Sequence, residues 1–176
     1  MTNLEKMQSI LQTGAADAVL LTSQVSRLYV ARYDVAEGIA VIGRDKCWYF
    51  TDSRYIEVAQ DNLAGFVVEE INRENPYTQR INAALNELDA KKLGVEEAYL
   101  THGEYLMYAE KLRAELIPYQ KEISRFRHVK EDWEIETMLR AQAITDKTFE
   151  DMCRIIKAGM TEKELAAELI YSLYKN

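Results

Sequence analysis

The spacing of apolar positions changes along the chain and divides it in two. From residue 18 to residue 95 they come in short runs: 18–22 (A-V-L-L-T), Gly38 to Ile42, Cys47 to Thr51, Phe66 to Ile71 and Leu93 to Val95. These runs have strand length and lie between turn or helix signals. Gly43-Arg44-Asp45-Lys46 separates two of them at hairpin spacing. Helix signals fill the gaps. Thr2 and Glu5 make a capping box ahead of Leu4, Met7 and Leu11, and Gly14 closes that helix, predicted over 3–13. Asp52 or Ser53 supplies a capping oxygen for a helix through Leu63, released by Gly65. Pro76, as a first helical residue, opens another to about Leu88, and Thr101 to Leu112 reads as a further helix ending before Ile117-Pro118. The polar and aromatic stretch from Ser23 to Tyr33 holds one helical turn. Strands separated by helices, with one hairpin, predict an α/β fold: a mixed β-sheet flanked by helices.

From Asp132 the period is helical without interruption. Ile135, Met138, Gln142, Thr145, Phe149, Met152 and Ile156 recur three and four apart, with Glu136, Arg140, Lys147, Glu150 and Arg154 opposite. This predicts an amphipathic helix over 132–156, ended by Gly159 and followed by a second helix that Thr161 and Glu164 cap. Leu165, Leu169 and Leu173 are still in register at Asn176, with no closing glycine or proline. Such a helix pair reads as the entrance to a domain mostly absent from this sequence. The boundary expected near Ser124 makes residues 1–124 an autonomous α/β domain and residues 125–176 the less stable part. The stripe of Ile135, Met138, Phe149 and Met152 needs a cover, so self-association is expected.

Composition narrows the function classes. The 176 residues are 48% hydrophobic and 29% charged, with a net charge of -7 and the basic residues scattered among acids. That argues against a nucleic-acid surface. The amino terminus, M-T-N-L-E-K-M-Q, has no apolar run, so neither a signal peptide nor a membrane helix is expected, and a cytoplasmic protein is the simpler reading. Cys47 and Cys153 lack metal spacing and are expected as reduced, buried thiols. His102 and His128 lack the H-E-x-x-H spacing and read as surface or capping residues. Glu164 and Glu168 lie one turn apart, but a hard cation needs more oxygens than these provide, so a solvated acidic face is expected. No Ser-His-Asp set and no G-x-G-x-x-G stands out.

Three stretches together resemble a known family. R-x-V-K-x-x-x-E-I (Arg127, Val129, Lys130, Glu134, Ile135) is followed by Ala143 and Asp146, then by I-x-x-G-M-T-E-x-E-L with Gly159, Thr161, Glu162, Glu164 and Leu165. This is similar to the start of the catalytic domain in the Xaa-Pro peptidases: aminopeptidase P, prolidase and their non-peptidase relative creatinase. Y-F-T-D-S-R-Y, from Tyr49 to Tyr55, and S-R-L-Y-V-A-R-Y, which resembles N-x-R-Y-L-T-G-F, are similar to the same family's amino-terminal domain.

The resemblance implies a creatinase/prolidase-type amino-terminal domain over 1–124 and, over 125–176, the truncated helical start of a pita-bread catalytic domain. It implies a parent metallopeptidase that removes a residue preceding proline or splits an Xaa-Pro dipeptide. Such enzymes use two divalent metal ions, manganese, cobalt or zinc, which polarise the scissile carbonyl and supply hydroxide. The family's ligands lie beyond these residues, so this chain is expected to carry no cofactor, no metal ligand and no catalytic residue. Its implied role is homodimer contact and shaping of the entrance for a peptide substrate. In the family the loop after the S-R-L-Y register reaches toward the partner's active site, which makes Tyr33 and Glu37 candidate substrate contacts across the dimer, with Arg54 of the D-S-R-Y segment as a third. Two departures bear on this: Arg32 stands where the family pattern has glycine, and Leu28 where it has arginine. An ordinary solvated loop remains open, as do a metal-free, peptidase-like protein-binding module and a creatinase-like amidinohydrolase.

Overall fold

Residues that alternate between two apolar faces build the centre of the fold. A computed structural model describes residues 1–176, which separate into two compact units, Met1–His128 and Val129–Asn176. The first holds strands β1 (Ala18–Leu21), β2 (Ile39–Ile42), β3 (Cys47–Thr51), β4 (Val67–Glu70), β5 (Lys92–Val95) and β6 (Glu115–Pro118) in one sheet, ordered β4-β3-β2-β1-β5-β6. β2 runs antiparallel to both neighbours and every other pairing is parallel, so five strands point the same way. Its helices are α1 (Asn3–Thr13), α2 (Gln24–Ala31), α3 (Ile56–Asn62), α4 (Tyr77–Glu87), α5 (His102–Lys111) and α6 (Gln120–His128).

Successive side chains of a strand point to opposite faces. Val19, Leu21, Ala40, Ile42, Cys47 and Tyr49 therefore enter one core, which α1, α2, α3 and α6 cover through Met7, Leu11, Val30, Ala59 and Ile123. Ala18, Leu20, Ile39, Val41, Trp48 and Phe50 enter the other, under α4 and α5 with Ile81, Leu85 and Tyr108. At mid-sheet Gly94 leaves room for a ring, since a Cβ there would come within 2.7 Å of Tyr119.

The local signals explain most ends. Thr2 Oγ1 accepts the Glu5 N–H (3.1 Å) while the Glu5 carboxylate accepts the Thr2 N–H (2.7 Å). α4 closes with Asp89 at φ 47, the Ala90 N–H donating to the Leu85 carbonyl (2.9 Å) and the Asp89 N–H to the Asn86 carbonyl (3.2 Å). This is the paired end bonding of a Schellman motif with aspartate where glycine is usual.

Several expectations are corrected. α2 runs for eight residues rather than one turn, capped by Ser23. α3 starts at Ile56, because Asp52 Oδ1 accepts the Arg54 N–H (2.9 Å) and closes a turn instead of capping a helix. Pro76 is the N-cap of α4, one position before the expected one. Neither β6, an edge strand, nor α6 as a separate helix was expected. Ser124 lies inside α6, beside the fully buried Ile123.

The second unit is a helix pair, α7 (Asp132–Ile155) and α8 (Glu162–Lys175). Gly159 takes φ 93 between them, and Thr161 Oγ1 accepts the Glu164 N–H (3.3 Å). Asp151 ties the helices together: its carboxylate accepts from Lys147 Nζ (2.7 Å), Ser172 Oγ (3.1 Å) and Asn176 Nδ2 (3.3 Å). Lys147 foremost, then Asn176 and Ser172, holds that carboxyl at about 2. Met152 is buried, while Ile135, Met138 and Phe149 are exposed. Between the helices an apolar groove of about 400 Å³ is lined by Phe149, Met152, Ile156, Leu165, Leu169 and Leu173 among others. Cys153, expected to be buried, is exposed on α7, whereas Cys47 is buried in β3, where burial pushes its thiol up to about 11. No helix is long and apolar enough to cross a membrane.

Candidate functional site

The carboxyl ends of the five like-directed strands share one edge of the sheet with the start of β2. In open α/β sheets such an edge, where strand direction or order changes, is the usual place for ligands. The loop from Arg32 to Gly38 enters it from α2. It begins with Arg32 in the left-handed region (φ 55, ψ 19), its N–H donating to the Leu28 carbonyl (2.8 Å). Glycine takes that conformation without a Cβ clash, so arginine here costs on the order of 1 kcal/mol.

The loop is held from beneath. Arg27, only 6% exposed, donates through Nη1 to the Val35 carbonyl (3.2 Å) and Tyr49 Oη (2.7 Å), and through Nη2 to the Ala36 carbonyl (3.5 Å). Thr51 Oγ1 donates to the Glu37 carbonyl (2.8 Å), and Gln24 Nε2 donates to the Asp34 carboxylate (3.0 Å). Behind α2 stands Glu96, wholly buried just past β5. Its carboxylate accepts from the Thr22 N–H (2.7 Å), the Ser23 N–H (2.9 Å), Ser23 Oγ (2.7 Å) and Ser26 Oγ (2.6 Å). Its neighbour Glu97 accepts the Tyr119 and Gln120 N–H groups (2.9 Å each) at the start of α6.

The charged groups lie farther along the edge. Arg54 grips Asp52 with Nη2 (2.6 Å) and Nε (3.1 Å) and stacks over Tyr55 (5.0 Å to the ring centre). The hydrogen bonds from Arg54 hold the Asp52 carboxyl below the usual carboxylate range, and Asp52 raises the guanidinium in turn, with Glu37 adding a smaller push. Burial, reinforced by Asp52 and Glu37, pushes the Tyr77 phenol up to about 12. Glu37 and Arg54 thus belong to one end of the sheet, together with Tyr77. Tyr33 is exposed at the head of the loop and makes no hydrogen bond to either. Arg27, Tyr77 and Glu96 went unnoticed in the sequence, because a buried arginine, tyrosine or glutamate carries no local mark of its burial. No group of three or more His, Cys, Asp or Glu side chains is placed to hold a metal ion. His102 is exposed on α5 and His128 is exposed at the end of α6.

Residues 3–129 match the family model of the creatinase/prolidase N-terminal domain. The chain belongs to that family. The uncharacterized peptidase YqhT of Bacillus subtilis is 30% identical over 167 residues, covering 94% of this chain and 47% of that protein. Among solved structures, the Xaa-Pro dipeptidase from Bacillus anthracis is 29% identical with a TM-score of 0.90, covering 98% of this chain and 48% of that one. The X-Pro aminopeptidase from Thermotoga maritima MSB8 is 27% identical with a TM-score of 0.81, covering 91% and 47%. The chain therefore spans about half the length of the relatives it matches. The creatinase/prolidase N-terminal domain ends one residue beyond the first compact unit, while the likeness to the longer peptidases runs on through α7 and α8.

Two phenols of this domain predict its alkaline limit. Burial pushes both Tyr77 and Tyr108 up to about 12, against a free value of about 10. A raised phenol favours the fold while it is neutral. The stabilisation is therefore complete below pH 10 and lost as pH rises from 10 through 12. In an ultraviolet titration of the eleven tyrosines, these two should ionise last, coincident with alkaline unfolding. Complete titration near pH 10 with the fold intact would contradict this.

Proposed function

We propose that this chain is the amino-terminal, non-catalytic part of a metal-dependent Xaa-Pro aminopeptidase or dipeptidase, contributing to a homodimer and to the shape of the substrate entrance. The observation that carries the reading is coverage: nearly the whole chain aligns with peptidases of twice its length, and most of it is their N-terminal domain family. The exposed apolar residues of the helix pair support the same reading, since Phe149, Leu169 and Leu173 line a groove suited to further packing. The residues present do not fit a metal site, so the divalent ions, manganese, cobalt or zinc, belong to the remainder of such a protein. What this chain's own residues contribute is recognition. With Arg54 engaged by Asp52, Glu37 is left as the open carboxylate of the edge, suited to the ammonium of a peptide's amino terminus, and Tyr33 offers an exposed ring. Exposed charge pairs contribute at most about 1 kcal/mol each, so their effect is on selectivity and orientation more than on affinity. A cytoplasmic location fits the two free thiols.

The test compares the 176-residue chain with the protein encoded by the reading frame continued past Asn176. The chain alone should bind manganese, cobalt or zinc only weakly and leave Xaa-Pro di- and tripeptides intact. The longer protein should hydrolyse them with metal, and Glu37→Gln should raise KM more than it lowers kcat. Turnover by the chain alone, or an inactive longer protein, would overturn the reading, the second result favouring a peptidase-like binding module.

A further inference from the structure

Unlike Arg54, which is bonded to Asp52, Arg27 has no hydrogen-bonded carboxylate. Its guanidinium is buried, bonded to two backbone carbonyls and a phenol, and its Nε–H has no partner. A buried cation so placed carries a heavy desolvation cost, which an apolar side chain of similar bulk would not. What a planar fork does, and an apolar chain does not, is hold two successive carbonyls in one fixed geometry. Those carbonyls belong to Val35 and Ala36. Thr51 takes the next, that of Glu37, and the Val35 side chain is itself in the core. Three consecutive residues are thus pinned from the inside, while the side chains of Tyr33, Asp34 and Glu37 stay exposed.

We propose that Arg27 is a positioning residue for substrate: by drawing the Val35 and Ala36 carbonyls inward it sets the shape of the 33–37 loop, and so the presentation of Tyr33 and Glu37 to a peptide. The role in substrate presentation rests on the function proposed above; the role in loop shape does not. Leu28, which stands where the family pattern has arginine, is exposed on α2, so the buried guanidinium comes from the adjacent residue.

The test has two arms. In the 176-residue chain, hydrogen exchange is followed for wild type, Arg27→Met, Arg27→Lys and Thr51→Val. Arg27→Met should speed exchange across residues 33–38 about tenfold, as expected for losing one or two net hydrogen bonds, with β1 and β5 unchanged. Arg27→Lys, able to reach one carbonyl, should fall between. Thr51→Val should loosen the Glu37 end alone, and it carries the test with Arg27→Lys if Arg27→Met does not fold. In the longer protein, Arg27→Met should raise KM for Xaa-Pro peptides about tenfold, with kcat within about twofold, and Arg27→Lys should raise it less. Loop exchange within about twofold of wild type in the folded variants overturns the positioning role, and so does faster exchange spread evenly over the sheet. A loosened loop with unchanged KM overturns the link to substrate. An inactive longer wild type removes the functional reading, while the exchange arm still decides the loop.

Discussion

Replacing Glu96 by alanine is expected to remove more than about 4 kcal/mol of stability from the first unit, whereas glutamine at the same position should cost only about 1 to 2 kcal/mol. The carboxylate is wholly buried and accepts four hydrogen bonds, two from the backbone N–H groups of Thr22 and Ser23 and two from the hydroxyls of Ser23 and Ser26. Alanine leaves the two N–H groups with no acceptor, each at a cost of about 1 to 3 kcal/mol, and opens a cavity beside them. Glutamine can keep its carbonyl on the N–H pair and turn its amide toward the serines. Hydroxyls accept as readily as they donate, so both can reverse. What glutamine forfeits is the strengthening of those bonds by charge, and the favourable placing of a carboxylate at the amino end of α2. Since domains of this size are stable by only about 5 to 15 kcal/mol, the alanine variant should melt more than about 10 °C lower or fail to fold. Denaturant unfolding of both variants is the measurement. Equal losses for glutamine and alanine would mean that the negative charge, rather than the count of acceptors, holds the turn. The consequence for function runs through α2: Glu96 anchors the helix that carries Arg27, and Arg27 shapes the loop that carries Tyr33 and Glu37.

How much of this was legible depends on how far apart the partners lie along the chain. The capping boxes at Thr2 and Glu5 and at Thr161 and Glu164 lie within one turn, so residue identity nearly dictates the start of α1 and α8. The strands β1, β2, β3 and β5 are apolar because they are covered on both faces, and read as such. β6 did not, since Glu115 and Pro118 suit an edge where one side of the ladder is open. α6 did not stand out either, because no glycine marks a break between it and α7 near Lys130. The Asp52 error has another cause: the same side chain can cap a helix or close a turn, and Arg54, two residues on, favours the turn by gripping both of its oxygens. Of the candidate site, the loop and Arg54 were named from the family resemblance. The groups that fix them were not, since Glu96 meets its partners 70 to 74 residues away and Arg27 meets Tyr49 at a separation of 22.

Ending the chain at His128 is expected to leave a cooperatively folding domain, and ending it at Ser124 to cost that domain about 3 to 5 kcal/mol. Both cores are built from residues up to Phe126. α6 is different. Glu97 satisfies its first donors, Ile123 is fully buried, Phe126 packs half-buried on the same core, and the Phe126 carbonyl lies 3.4 Å from Tyr29 Oη. A cut at Ser124 removes Phe126, worth about 2 kcal/mol when half-buried, on the scale of 3 to 5 for complete burial. The five residues left of α6 are then too few to hold a helix without tertiary support, so Ile123 frays outward at a further cost of about 1.5 to 3 kcal/mol. Circular-dichroism melts of 1–176, 1–128 and 1–124 test this. The 1–128 chain should keep one sharp transition and the full strand signal, and the 1–124 chain should melt roughly 10 to 20 °C lower. If the two shortened chains melt together, α6 adds nothing beyond Ser124 and the domain ends earlier than the compact unit does. If 1–128 loses its cooperative transition, the helix pair is part of what holds the sheet domain together, and the domain is not autonomous.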